Sequence, residues 1–253
     1  MIRFAFRRIA LGMIAVPLAL GLAACGSGGD KAEGELSGEP IAKVAPPEGK
    51  AWSDVVVKTP EGGYRMGNPD APIKLIEYGS LTCPHCADFA EKSGAELRDV
   101  FVASGRVSFE FRNFVRDGID ITAAQLTRCG APESYFALTE QAFANQRAMF
   151  ETVQQAGDSA FESAMKLPDS QRGMAIAQMA GLIDFFAARG ISKEQAATCL
   201  ADAGAAEALA KATQDQGKEF DIQGTPTFFV NGTKLDINAW PELKAKLETM
   251  GAR

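Results

Sequence analysis

The chain has 253 residues, 46% of them hydrophobic, and 26 basic against 32 acidic side chains leave a net charge of −6. That is apolar material enough for a full core. Lys and Arg are scattered among acids, which excludes the clustered basic surface that nucleic-acid phosphates require.

In chain order the first signal is Arg3, Arg7 and Arg8, followed by an apolar run from Ile9 to Ala24 broken only by glycines and Pro17. The run is short for a membrane span and ends in small residues, as a secretory signal does. The junction Leu22-Ala23-Ala24-Cys25 resembles the bacterial lipobox, whose cysteine is lipidated and becomes the new N-terminus. A plain cleaved signal with an incidental cysteine is the competing reading. Residues 1–24 are therefore expected to be a lipoprotein signal peptide, with Cys25 anchoring the protein to a membrane without spanning it. Residues 25–60 are rich in Gly, Pro, Glu and Lys and read as a flexible tether.

A turn at Asn68-Pro69-Asp70-Ala71-Pro72 leads into a short apolar strand, Ile73-Lys74-Leu75-Ile76-Glu77-Tyr78, and then into Cys83-Pro84-His85-Cys86. Ala87 to Val102 carries helical spacing through Phe89, Leu97, Val100 and Phe101, with Gly105 as the stop. Val107 to Arg112 alternates apolar and polar, the pattern of a half-buried strand. From about Asp120 to Gly217 the sequence is rich in Ala, Gln, Glu and Leu and reads as several helices. Breaks fall near Gly130-Ala131-Pro132, Leu167-Pro168-Asp169 and Arg189-Gly190-Ile191-Ser192. Ser192 with Gln195 has the spacing of a capping box. A strand at Thr225 to Val230, an Asn231-Gly232 turn, a further strand and a helix from about Ala239 to Met250 complete the chain. The order is a βαβ unit and a β-hairpin unit separated by about 100 helical residues, with no internal repeat.

Five cysteines are present. With Cys25 lipidated, four remain, an even number suited to an oxidising compartment. Cys83 and Cys86 form a CxxC pair, which leaves Cys129 and Cys199 to bridge each other or to stay as buried free thiols. Such a bridge would stabilise by roughly 4 kcal/mol in the chain-entropy account.

A CxxC that follows a strand and opens a helix is placed for redox chemistry. Free N–H groups and the macrodipole at the helix start favour an anion, lower the thiol pKa and populate the nucleophilic thiolate. His85, the one histidine in the chain, sits between the sulfurs and can add charge or a hydrogen bond. Pro84 fits the first helical turn, where a missing N–H does no harm. Stabilising the thiolate stabilises the reduced form and makes the disulfide a stronger oxidant. Cys83 is thus expected to be the attacked sulfur and Cys86, one turn inside, the resolving one. A zinc site needs two further ligands, which only Cys129, Cys199 or carboxylates could supply, so no metal is expected. Haem attachment needs His directly after the second cysteine, where Ala87 stands. A purely structural bridge closing so small a loop stabilises little.

These residues, together with Gly224-Thr225-Pro226-Thr227-Phe228-Phe229-Val230-Asn231-Gly232, resemble the DsbA-like branch of the thioredoxin superfamily over nearly all of residues 65 to 253. The resemblance implies an α/β thioredoxin fold with an inserted all-helical domain, divided as 61–117, 118–217 and 218–253. It implies a cis Pro226 beside the sulfurs, with Thr225 offering backbone groups to an extended client strand. The competing reading is an ordinary trans turn. It also matches Glu77 to a buried acid under the CxxC that relays the proton of Cys86, the alternative being a surface charge on an edge strand.

The function expected is donation of disulfides to unfolded or reduced exported proteins on the periplasmic side of the bacterial cell envelope. A membrane thiol oxidase would reoxidise the pair, and no cofactor is expected. A threonine before the cis proline also occurs in isomerases and reductases of the superfamily. The dimeric isomerases carry an N-terminal dimerisation domain that residues 26–64 are too short and too polar to form, which favours a monomer. An isomerase or reductase using the same pair, and a chaperone-like binding module for unfolded chains, are the alternatives.

Overall fold

The computed structural model describes residues 38–253. The signal, lipobox and Cys25 readings lie outside the described residues. A six-stranded sheet carries the order β1-β2-β4-β3-β5-β6. Its strands are β1 (Val56–Lys58), β2 (Tyr64–Met66), β3 (Ile73–Gly79), β4 (Val107–Asn113), β5 (Thr227–Val230) and β6 (Thr233–Lys234). β3 and β4 run parallel, and the other neighbouring pairs are antiparallel. Helix α1 (Pro84–Glu96) makes the crossover between the parallel strands, and α10 (Trp240–Thr249) packs beside it. Between β4 and β5 lie α2 (Gly118–Thr127), α3 (Tyr135–Ala144), α4 (Gln146–Ala156), α5 (Asp158–Met165), α6 (Asp169–Met179), α7 (Leu182–Ala187), α8 (Lys193–Ala201) and α9 (Ala203–Glu219). Among the described residues no helix is long and apolar enough to cross a membrane.

The sheet is held to the α1/α10 layer by aromatic rings. Phe89 of α1 meets Phe228 of β5 with ring centroids 4.6 Å apart, and Phe89 and Phe101 both present edges to Trp240 at 6.2 and 5.6 Å. Each such pair adds about 0.5–1.5 kcal/mol beyond its area burial. Gly79 ends β3 because nothing larger fits: a Cβ there would stand 2.5 Å from the Phe111 ring.

Four sequence expectations need correction. Residues 38–60 do not behave as a tether. Gly38 and Ile41 donate backbone hydrogen bonds to Thr249 and Gly251, and the buried Trp52 donates its indole N–H to the Val44 carbonyl at 2.7 Å. Two short strands, β1 and β2, were not legible, being three residues each. β4 is buried at every position rather than half-buried. It lies inside the sheet, and its polar face is closed by an internal network: Arg112 donates to Glu110 at 2.7 Å and to the Tyr78 hydroxyl at 2.9 Å, while Thr59 donates to Glu110 at 2.8 Å. Finally, Ser192 accepts from the Gln195 N–H at 3.1 Å, but the Gln195 side chain donates to the Cys129 carbonyl at 2.7 Å instead of returning to the cap. The capping box is therefore half formed.

The helix after the CxxC begins at Pro84 and continues past Glu96 as a wider π-helical segment, Leu97–Val102. Gly105, at φ +72°, ends the run. In the helical insertion Cys129 and Cys199 are bonded to each other, with Cα atoms 5.9 Å apart and a sequence separation of 70. That pairing removes both from the pool of metal ligands.

Candidate active site

The strand-to-helix turn after β3 carries the reactive pair. Cys83 is the N-cap of α1, with extended backbone, and Pro84 occupies the first turn. Both sulfurs are in the free, reduced state, and Cys86 is fully buried while Cys83 is 4% exposed. Pro84 and His85 are exposed. The Thr225–Pro226 peptide is cis and lies over the first sulfur, with Cys83 Sγ donating to the Thr225 carbonyl at 3.2 Å. Sequence distance is thus cancelled: Thr225 stands 142 residues from Cys83.

The Cys83 thiol is pushed down to about 4. A hydrogen bond from the Cys86 thiol is the largest cause. Partial burial opposes it, and the Thr225 side chain and the backbone N–H groups of Cys86 and His85 add to it. The thiol's bond to the Thr225 carbonyl favours the protonated form, and the donors outweigh it. His85 contributes a backbone N–H, as a helix-start donor. Burial pushes the Cys86 thiol far above the ordinary range, with the Cys83 hydrogen bond and the Glu77 charge adding to the effect. The two sulfurs are driven apart: one stays ionised at neutral pH and the other stays protonated.

Glu77 shares the core face of β3 with Ile73 and Leu75, because side chains alternate along a strand. It is 3% exposed, and its strand neighbours on either side are Phe111 and Phe228. Burial, reinforced by the Cys83 charge, raises its carboxyl to about 8. At neutral pH the carboxyl holds its proton, beside two sulfurs of opposite character.

Several residues that sequence reasoning missed hold the turn in place. Asp120, fully buried near the start of α2, accepts from the Ser80 hydroxyl at 2.6 Å, the Leu81 N–H at 2.9 Å and the Arg116 N–H at 2.9 Å. Burial lifts its carboxyl to about 7 against those donors. Gln146, buried at the start of α4, donates to the Leu81 and Cys83 carbonyls at 2.9 and 3.0 Å. Arg116 donates to the Thr82 carbonyl at 3.2 Å. The helical insertion thus fixes the loop that presents Cys83, and the loop's buried polar groups are matched as such groups must be. The one sequence signal was Asp117, whose side chain caps α2 by accepting from the Asp120 N–H at 2.8 Å. Asp120 and Gln146 carried none.

The sequence profile of the thioredoxin family matches residues 59–249. A Rickettsia bellii protein named for protein-disulfide oxidoreductase activity is 27% identical over 80% of this chain and 69% of its own length. A second such relative, from Rickettsia conorii, is 25% identical, and the chain spans 57% of its length. Among solved structures, a protein-disulfide isomerase from Novosphingobium aromaticivorans is 31% identical with a TM-score of 0.70, covering 74% of this chain and 96% of that one. BdbD of Bacillus subtilis shares the fold, at 22% identity and a TM-score of 0.53 over 75% of this chain and 92% of that one.

Proposed function

The chain belongs to the thioredoxin family, in its DsbA-like branch of thiol:disulfide oxidoreductases, and we propose that it donates disulfides to unfolded or reduced cell-envelope proteins. The observation that carries the direction is the separation of the two sulfurs. A first thiol held near 4 stabilises the reduced pair and makes the Cys83–Cys86 disulfide a strong oxidant.

In the proposed cycle a client thiolate attacks Cys83 in the disulfide. The Cys83–Cys86 bond breaks, its electron pair leaves on Cys86, and Glu77 supplies the proton that Cys86 requires. The client's second thiolate then attacks its own sulfur in the mixed disulfide and expels Cys83 as a thiolate. The client loses two electrons and the CxxC pair gains them. Thr225 and Pro226 would align an extended client segment by main-chain pairing, which is tolerant of client sequence. A membrane thiol oxidase would return the pair to the disulfide. Attachment through a lipidated Cys25, on the periplasmic side of the envelope, completes the reading, with the protein acting as a monomer.

A second reading is isomerase or reductase, the isomerase being the activity for which the 31% identical Novosphingobium aromaticivorans protein is named. Equilibrating the purified protein with glutathione buffers separates the two. A potential near the oxidising end of the thioredoxin range, about −120 mV, supports the donor; one near −270 mV rejects it. Replacing Cys83 with Ser must abolish exchange while leaving the fold intact. Retention of function by Cys83→Ser would point instead to a binding module.

A further inference from the structure

When the disulfide opens, the Cys86 sulfur takes on negative charge in a fully buried position. An anion held away from water is costly unless a polar group receives it. The group placed to do so is a main-chain N–H just beyond the end of β3.

Along an antiparallel ladder every second residue exchanges its N–H and C=O with the neighbouring strand. On β3, facing β5, that phase falls on Lys74, whose carbonyl accepts from the Asn231 N–H at 3.0 Å, and then on Ile76 and Tyr78. The pairing stops at Tyr78 opposite Thr227. Ser80 is next in phase, and Thr225 would be its partner. Both ladder groups of Ser80 are instead redirected to the reactive pair. Its carbonyl accepts from the Cys83 N–H at 3.1 Å, while the Thr225 carbonyl is occupied by Cys83 Sγ. The Ser80 N–H donates to no oxygen among the described residues and is turned toward the Cys86 sulfur. Ser80 is itself fully buried, so water does not compete for that N–H.

The Ser80 side chain fixes the direction of its backbone. Its Oγ donates to Asp120 Oδ2 at 2.6 Å and accepts from the Thr82 N–H at 3.2 Å. Asp120 Oδ1 takes the next peptide N–H, that of Leu81, at 2.9 Å. The peptide that faces Cys86 is thus held by a carboxylate of the helical insertion.

We propose that the Ser80 N–H is a catalytic donor that receives the negative charge on Cys86 as the disulfide opens, and that Asp120, through the Ser80 hydroxyl, is the positioning residue that keeps it aimed. The proposal rests on the reading of Cys83 as the attacked sulfur and Cys86 as the leaving one. A client thiolate forms a bond to Cys83 Sγ. The Cys83–Cys86 bond breaks, and its electron pair stays on Cys86 Sγ against the Ser80 N–H until a proton converts the thiolate to the thiol. The arrangement works as an oxyanion hole does, by a preorganised donor in a water-excluded site aimed at where charge develops.

Ser80 serves Cys86 and not Cys83, and that asymmetry supplies the test. Ser80→Ala keeps the N–H and removes the hold of Asp120 on it. Stopped-flow mixing of the oxidised protein with a dithiol peptide measures opening, in which Cys86 leaves. In a Cys86→Ala background, a peptide joined to Cys83 as a mixed disulfide is released by added thiol, which expels the low-pKa Cys83. Ser80→Ala should slow opening at least about tenfold, short of the roughly 10²–10³ lost when an oxyanion-hole donor is deleted outright. It should leave the step that expels Cys83 unchanged. Ser80→Thr, which returns a hydroxyl to Asp120, should restore the opening rate. An opening rate equal to the parent's overturns the proposal. Equal slowing of both steps also overturns it, since Ser80 would then only support the turn. A mixed disulfide trapped on Cys86 instead of Cys83 is a distinct result and removes the underlying reading as well. On the unmodified protein, the NMR amide signal of Ser80 is expected to move between the oxidised and reduced forms while that of Leu81, held by Asp120, stays in place. A Ser80 amide that does not move overturns the proposal even if Ser80→Ala fails to fold.

Discussion

Reducing the Cys83–Cys86 bond should make the protein more stable, by an amount that depends on pH in a defined way. A folded-state thiol held at about 4 against an ordinary 9.0 contributes stability that is full above the higher value. That contribution is lost as pH falls through the lower one. At pH 7 the distance to the folded value is worth roughly 4 kcal/mol at about 1.4 kcal/mol per pH unit. This is an upper bound, since Cys83, though covered, lies close enough to the surface for solvent to screen its charge. The same energy corresponds to roughly 90 mV in the potential of a two-electron couple. Glu77 works in the opposite sense. Raised from 4.5 to about 8, it lends stability at low pH that is lost as pH climbs toward the folded value. It does so in both redox forms, so the difference between them isolates Cys83 apart from the share of the Glu77 shift that the Cys83 charge causes. Urea titrations of the reduced and oxidised protein at a series of pH values measure the gap. It should widen by up to about 1.4 kcal/mol per unit between about pH 5 and pH 8. A gap that stays flat across that window refutes the assignment of a stabilised thiolate to Cys83.

Replacing Glu77 with Gln should raise stability by a few kcal/mol above about pH 8, because a buried carboxylate is no longer forced to ionise; the same urea titration near pH 4 should show little change. Asp120→Ala leaves the Ser80 hydroxyl and the Leu81 and Arg116 N–H groups without their acceptor, at about 1–3 kcal/mol for each one left buried. Its Cys83 thiolate absorbance should titrate higher and less sharply than in the parent. Removing the Cys129–Cys199 bridge by a double Ala substitution should cost roughly 4 kcal/mol in denaturant midpoint while disulfide exchange at Cys83 continues; loss of exchange with the fold intact would contradict a structural role.

What could be read in advance follows the range of the interactions involved. The strand, CxxC and helix from Ile73 to Glu96 are written in local terms: alternation, a proline at the first helical turn, and apolar spacing. The Thr225-Pro226 strand was reached through resemblance, since nothing local says that it folds back over Cys83. The turn's real supports, Asp120 and Gln146, escaped because a buried Asp or Gln looks like a surface residue until its partners are known. The segment from 38 to 60 misled for a related reason. Its Gly, Pro and charged residues give it the composition of a linker, while three anchors, Ile41, Trp52 and Val56, are enough to dock it.

That docking has a mechanical consequence. The segment around Ile41 to Val44 lies along the 99–106 turn and the final residues Glu248 to Arg253. The 99–106 turn lies beyond the end of α1 remote from Cys83, and a 13-residue helix is about 20 Å long. A load on the leading segment is therefore taken up by hydrogen bonds to the last helical turn and the 104–106 loop. Cys83, at the opposite end of α1, stays out of that line of force.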